Sequence, residues 1–166
     1  MIYAIGITKK EIPLKPKEPL PLHHSWPLFD HERHLDLCAV LGADAPALAE
    51  ALHCPQTGAE LARKGVGVWQ CDLADNALTW SAGVFDIFGL PRDARVTRAD
   101  AVALYYDDSR DVMERLRAHA IKHRRGFTID VEICPAVARR RWMRLCTAPV
   151  CEGKDVVRLI GWKKMY

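Results

Sequence analysis

From Phe127 to Ile133 the chain alternates strictly, with Phe127, Ile129, Val131 and Ile133 apolar and Thr128, Asp130 and Glu132 polar. A period of two predicts a half-buried strand. Arg139 to Ala148 and Val156 to Lys164 predict two more strands, joined by a hairpin turn at Glu152-Gly153-Lys154-Asp155. Upstream the period lengthens. Between Arg110 and Arg124, Val112, Met113, Leu116, His119, Ala120 and His123 share one stripe at 100° per residue, the mark of an amphipathic helix. Asp107-Asp108-Ser109 is the expected start of this helix and Gly126 its end. Val66 to Asp72 and Ala77 to Ser81, rich in Val and Trp, predict a first hairpin around Ala74-Asp75-Asn76. Short helices are expected at Gly83 to Phe88, closed by Gly89 and Pro91, and after Thr97, with Ala101, Val102 and Leu104 inward.

The first 64 residues read differently. "KKEIPLKPKEPLPLHHSWP" holds five prolines, which sustain neither a helix nor a central strand, so extended structure is expected there. Ala47, Leu48, Ala51 and Leu52 then share a helical face that Pro55 stops, and Thr57 is the expected cap of a second short helix through Arg63. The division expected is a Pro-rich extension over residues 1–45, a helical N-terminal cap over 46–64, and a main domain over 65–166. The fold class is α+β: a five-stranded antiparallel sheet with short helices on one face and the cap helix on the other.

Composition narrows the function without naming it. A net charge of +3, with scattered basic residues, argues against a nucleic-acid partner. No apolar run approaches the roughly 20 residues of a membrane helix, and no signal peptide is evident, so a cytoplasmic protein is expected. Six cysteines without a Cys-x-x-Cys pair read as reduced thiols. Gly65-Val-Gly67 lacks a third glycine and enters a strand, so it is no phosphate loop. His119 and His123 have metal-pair spacing but no third ligand in sequence, and four histidines lie within "HHSWPLFDHERH". Arg139, Arg140, Arg141, Trp142 and Arg144 read as a solvated turn and a mixed strand.

Six segments in order resemble the PAS domains of bacterial signalling proteins. "GVGVWQCDLADNALTWS" resembles the opening Trp-containing hairpin, "VFDIFGLP" the short helix ending in Phe-Gly-Leu, and "YYDDSRDVMERLRAH" the start of the long helix. "FTIDVEI", "RRRWMRL" and "VVRLIGWKK" resemble the last three strands. The likeness runs from Gly65 to Tyr166; it departs at Tyr105-Tyr106, where the family favours His-Pro, and at Pro135-Ala-Val-Ala138.

The resemblance implies a non-catalytic sensory module with a cavity between sheet and helices, acting by ligand binding, homodimerisation or both. The expected cavity wall is Trp69, Phe85, Leu104, Leu116, Phe127, Ile129 and Trp142, with His119 and Arg144 as polar members. A homodimer through the N-terminal cap and sheet, and an output domain or signalling partner as in two-component regulation, follow from the same likeness. One alternative is a haem- or metal-binding sensor through His119 or His123. Another is a small cavity enzyme using Asp130, Glu132, His119 and Arg144. The flavin-adduct cysteine segment of light-sensing relatives has no counterpart between Thr97 and Ser109.

Overall fold

A computed structural model describes residues 25–27, 50–137 and 139–166. The expectations for the rest of the extension, including the four histidines and Cys38, lie outside the described residues. Six strands, β1 (Ser25–Pro27), β2 (Val66–Asp72), β3 (Leu78–Trp80), β4 (Arg125–Ile133), β5 (Arg141–Glu152) and β6 (Asp155–Met165), form one antiparallel sheet in the order β1-β4-β5-β6-β2-β3. β2 to β6 are the five strands expected. β1 adds a sixth from the Pro-rich extension, pairing Ser25 with Phe127 and Pro27 with Arg125. An edge is where a strand containing proline can sit, because the missing N–H breaks no ladder on its open side.

Among the described residues, 50–53 are helical and are followed by the helices α1 (Pro55–Arg63), α2 (Ala82–Phe88), α3 (Arg98–Ala103) and α4 (Asp107–His123). Among the described residues no helix is long and apolar enough to cross a membrane. Thr97 caps α3 as its sequence predicts, in a reciprocal box with Asp100. Three expected ends move. Cys54, not Thr57, occupies the N-cap of α1, and Pro55 fills its first turn, where a missing N–H costs nothing. α4 starts at Asp107 behind Tyr106, so Asp107 and Asp108 complement the helix dipole from inside the first turn. Ser109 instead accepts a hydrogen bond from the Glu132 N–H at 2.9 Å. α4 ends at Arg124, which takes the left-handed conformation (φ 53°), while Gly126 already belongs to β4.

Strand alternation divides the core in two. One face carries Trp69, Cys71, Phe127, Ile129, Val131, Ile133, Met143, Leu145 and Leu159, packed with Val84, Ile87 and Phe88 of α2 and Met113, Leu116 and Ala120 of α4. The other carries Val66, Val68, Cys146, Ala148 and Trp162, covered by Ala51 and by Leu61 of α1. The cap helix therefore covers the face opposite α2–α4, as expected. Two glycines let α2 lie directly on β2: a Cβ on Gly67 would stand 2.3 Å from the Val84 nitrogen, and one on Gly83 only 2.0 Å from the Val66 carbonyl oxygen.

Candidate functional site

The site grows from one rung of the sheet. Thr147 of β5 and Trp69 of β2 both pair with Gly161 of β6, so the three lie side by side on the helix-covered face. Gly161, without a side chain, lets its neighbours approach closely. A Cβ there would come within 1.8 Å of the Cys146 carbonyl oxygen and 3.1 Å of Trp69 Nε1. Two residues on, the period of two brings Lys163 to the same face. Phe88, Tyr105 and Met113 help to close a cavity of about 60 Å³ over these residues.

Lys163 is only 5% exposed, and no carboxylate of the described residues pairs with it. Its Nζ donates to the Tyr105 hydroxyl oxygen at 3.1 Å and lies 4.6 Å from the centroid of the Trp69 ring. The ring face favours the cation, but burial works against it and dominates, pushing the amine down to about 7. Burial, followed by the nearby Glu114 charge, pushes the Tyr105 phenol up, so it stays neutral. Two further polar atoms here, Trp69 Nε1 and Thr147 Oγ1, are buried without a hydrogen-bond partner among the described residues. A buried polar group without a partner costs about 1–3 kcal/mol, so this arrangement is held at a cost to stability.

Both arginines at the mouth have side-chain partners, one charged and one neutral. Arg98 of α3 is bound to Glu114 of α4, and Arg117 of α4 donates to Asn76 Oδ1 at 2.9 Å in the β2–β3 turn. The residues around the cavity therefore carry an ammonium, an indole N–H and a hydroxyl, each almost wholly buried and set among apolar residues. Such a set of donors suits a small ligand that brings acceptors.

Of the expected wall, Trp69 and Phe127 line this cavity. Leu116 and Ile129 are in the surrounding core, and Leu104 packs against it half-buried. Phe85 meets Trp80 edge-on, with ring centroids 5.3 Å apart, along an outer groove beside Asn76 and Arg95. Trp142 and Arg144 are displaced by strand parity: they point with Cys146 to the opposite face, and Met143, Leu145 and Thr147 face inward. There Arg144 grips Asp130 through two hydrogen bonds of 2.8 and 2.9 Å, and Arg140 pairs with Glu132 at 2.7 Å. The loose enzyme candidates Asp130, Glu132 and Arg144 are thus committed to ion pairs outside the cavity.

His119 is half-buried on α4 and does not line the cavity; its ring centroid is 4.4 Å from that of His123. Burial, and then the charge of His123, lower its pKa. Among the described residues no third His, Cys, Asp or Glu joins the pair. The cavity does not fit haem or flavin either: pockets for such ligands run to roughly 300 Å³ and more, and the one lining thiol, Cys71, lies on the sheet. The five described cysteines are free thiols, with Cys71 and Cys146 buried and Cys134 exposed.

Sequence reasoning missed Lys163, Tyr105 and Thr147. A signal for Lys163 was present, since it follows Leu159 and Gly161 at a spacing of two and so takes an apolar register. Thr147 follows Met143 and Leu145 at the same spacing, while Tyr105 had no such signal.

No family model and no curated protein matches the chain. Solved structures do. An RNA-binding Light-Oxygen-Voltage receptor is 18% identical with a TM-score of 0.55, over 60% of this chain and 29% of that one. The N-terminal domain of a diguanylate cyclase with PAS/PAC sensor from Marinobacter aquaeolei is 13% identical with a TM-score of 0.55, over 60% of this chain and 94% of that one. A sensory box histidine kinase/response regulator from Burkholderia thailandensis is 14% identical with a TM-score of 0.55, over 64% of this chain and 81% of that one. The chain thus spans less than a third of the Light-Oxygen-Voltage receptor, and at these identities the likeness concerns architecture. Strands β2–β6 of the antiparallel sheet, the short helices and these neighbours together establish that the chain carries a PAS fold.

Proposed function

We propose that this protein is a sensory module of signal transduction that holds a small ligand in the cavity between its sheet and α3–α4. The observation that carries the reading is the cavity's unmatched polarity: a buried lysine without a carboxylate, beside two orphaned donors. A packed scaffold gains nothing from that arrangement, whereas a ligand supplying acceptors would offset its cost. Ligand binding would favour whichever arrangement of α3 and α4 best closes the mouth, through the Arg98–Glu114 pair. Sensor domains of the same fold occur in a cyclase and a histidine kinase, so an output domain or partner reading that state is part of the proposal.

Native mass spectrometry of the purified protein, with an absorption spectrum of the same sample, tests it. A small bound mass released on denaturation is expected. A strictly bare chain that no member of a small-metabolite library stabilises against heat would refute the ligand reading.

A further inference from the structure

The sensory reading leaves the ligand's chemistry open, and the cavity narrows it. At roughly 10–15 Å³ per water-sized group, 60 Å³ accommodates about four to six non-hydrogen atoms. Lys163 supplies the positive charge of the interior; at the mouth Arg98 is paired with Glu114, and Arg117 donates to the neutral Asn76 amide. Trp69 Nε1 and Thr147 Oγ1 belong to residues flanking Gly161 on adjacent strands, and Lys163, the next inward residue of β6, holds its Nζ over the Trp69 ring. Leu78, Val102, Leu145 and Leu159 make most of the remaining wall apolar. Phosphate or sulfate would bury extra polar oxygens against that wall, and dicarboxylates from malonate upward exceed the roughly four to six atoms the volume accommodates. A neutral alcohol or amide would leave the ammonium uncompensated.

We infer that the cavity takes a short-chain monocarboxylate of about two to four carbons, with its carboxylate among Lys163 Nζ, Trp69 Nε1 and Thr147 Oγ1 and its alkyl end against Leu145 and Leu159. This rests on the proposed ligand-sensing role and names the class of ligand. It gives all three donors an acceptor at once, and the buried ammonium a counter-charge.

The test follows the indole N–H of Trp69 in proton–nitrogen NMR spectra of the full chain, with Trp69→Phe identifying the resonance. Sodium propionate is titrated at constant ionic strength against propionamide, its neutral isostere. Propionate is expected to shift the resonance saturably, and propionamide to bind at least about tenfold more weakly, the usual worth of a hydrogen bond to a charged group. Lys163→Met should weaken propionate at least about tenfold for the same reason, with Thr147→Val, a milder change of similar shape, weakening it less. Equal binding of propionamide would overturn the carboxylate assignment and leave a small-ligand cavity standing. No saturable shift with propionate would also overturn it, and the mass-spectrometric search for any bound ligand would then decide the sensory reading separately.

Discussion

Replacing Lys163 with methionine removes the amine but keeps an unbranched chain of similar length, and the consequence for stability can be worked out. The ordinary lysine value is 10.5 and burial brings Lys163 to about 7. That difference corresponds to about 5 kcal/mol of penalty on the charged form, at 1.36 kcal/mol per unit. For a basic group lowered by folding, the unfolded chain binds more protons between the two values. Stability therefore rises with pH across the window, and the penalty is fully present below about pH 7. The remaining penalty is about 4 kcal/mol at pH 7 and about 1 kcal/mol at pH 9.5, so the wild type should gain about 3 kcal/mol from this residue over that range.

Lys163→Met lacks that gain. Allowing about 1 kcal/mol for a Tyr105 hydroxyl left without its donor, the variant should be more stable by about 3 kcal/mol at pH 7 and nearly equal to wild type at pH 9.5. The other ionisable groups around the amine, Cys71, Tyr105, Arg98, Glu114 and Arg117, are common to both chains. Urea unfolding followed by tryptophan fluorescence at several pH values in this range measures it. Parallel stability–pH curves for the two proteins would refute the reasoning, because they would mean that Lys163 titrates alike folded and unfolded.

Gly83→Ala should prevent folding, since its Cβ would meet the Val66 backbone at 2.0 Å; a cooperative unfolding transition of near wild-type stability would contradict the direct packing of α2 on β2. Arg144→Met should cost about 1 kcal/mol or less in urea unfolding, because its partner Asp130 is also part-exposed, and it should leave the Trp69 indole resonance in place. A displaced resonance would return Arg144 to the cavity. Thr97→Ala removes the cap of α3 and should cost about 1 kcal/mol, read as a lower thermal midpoint.

Periodicity and end signals were local, and they carried most of the architecture. The alternation of Phe127 to Ile133, the turn at Gly153 and the capping box at Thr97 each depend on residues within a few positions of one another. The helix ends that moved did so where two local signals competed. Arg124 could stop α4 in the left-handed conformation without Gly126, and Pro55 could open α1 without help from Thr57.

The cavity is different in kind. The alternation of β5 correctly set Trp142, Arg144 and Cys146 apart from Met143 and Leu145, but it could not say which set faces the helices, because both carry apolar and polar residues. That choice depends on what covers each face, and the elements covering them, α1 and α2–α4, come from other parts of the chain. For the same reason the meeting of Trp69, Thr147, Gly161 and Lys163 could not be read along the chain. It exists only once β2 has paired with β6 and β6 with β5. The sequence by itself determined the strands, the helices and their order, since hydrogen-bonded periods and caps are short-range physics. Only the tertiary structure decided that a lysine would be buried without a counter-charge, because burial is a property of the assembled layers and not of the residue.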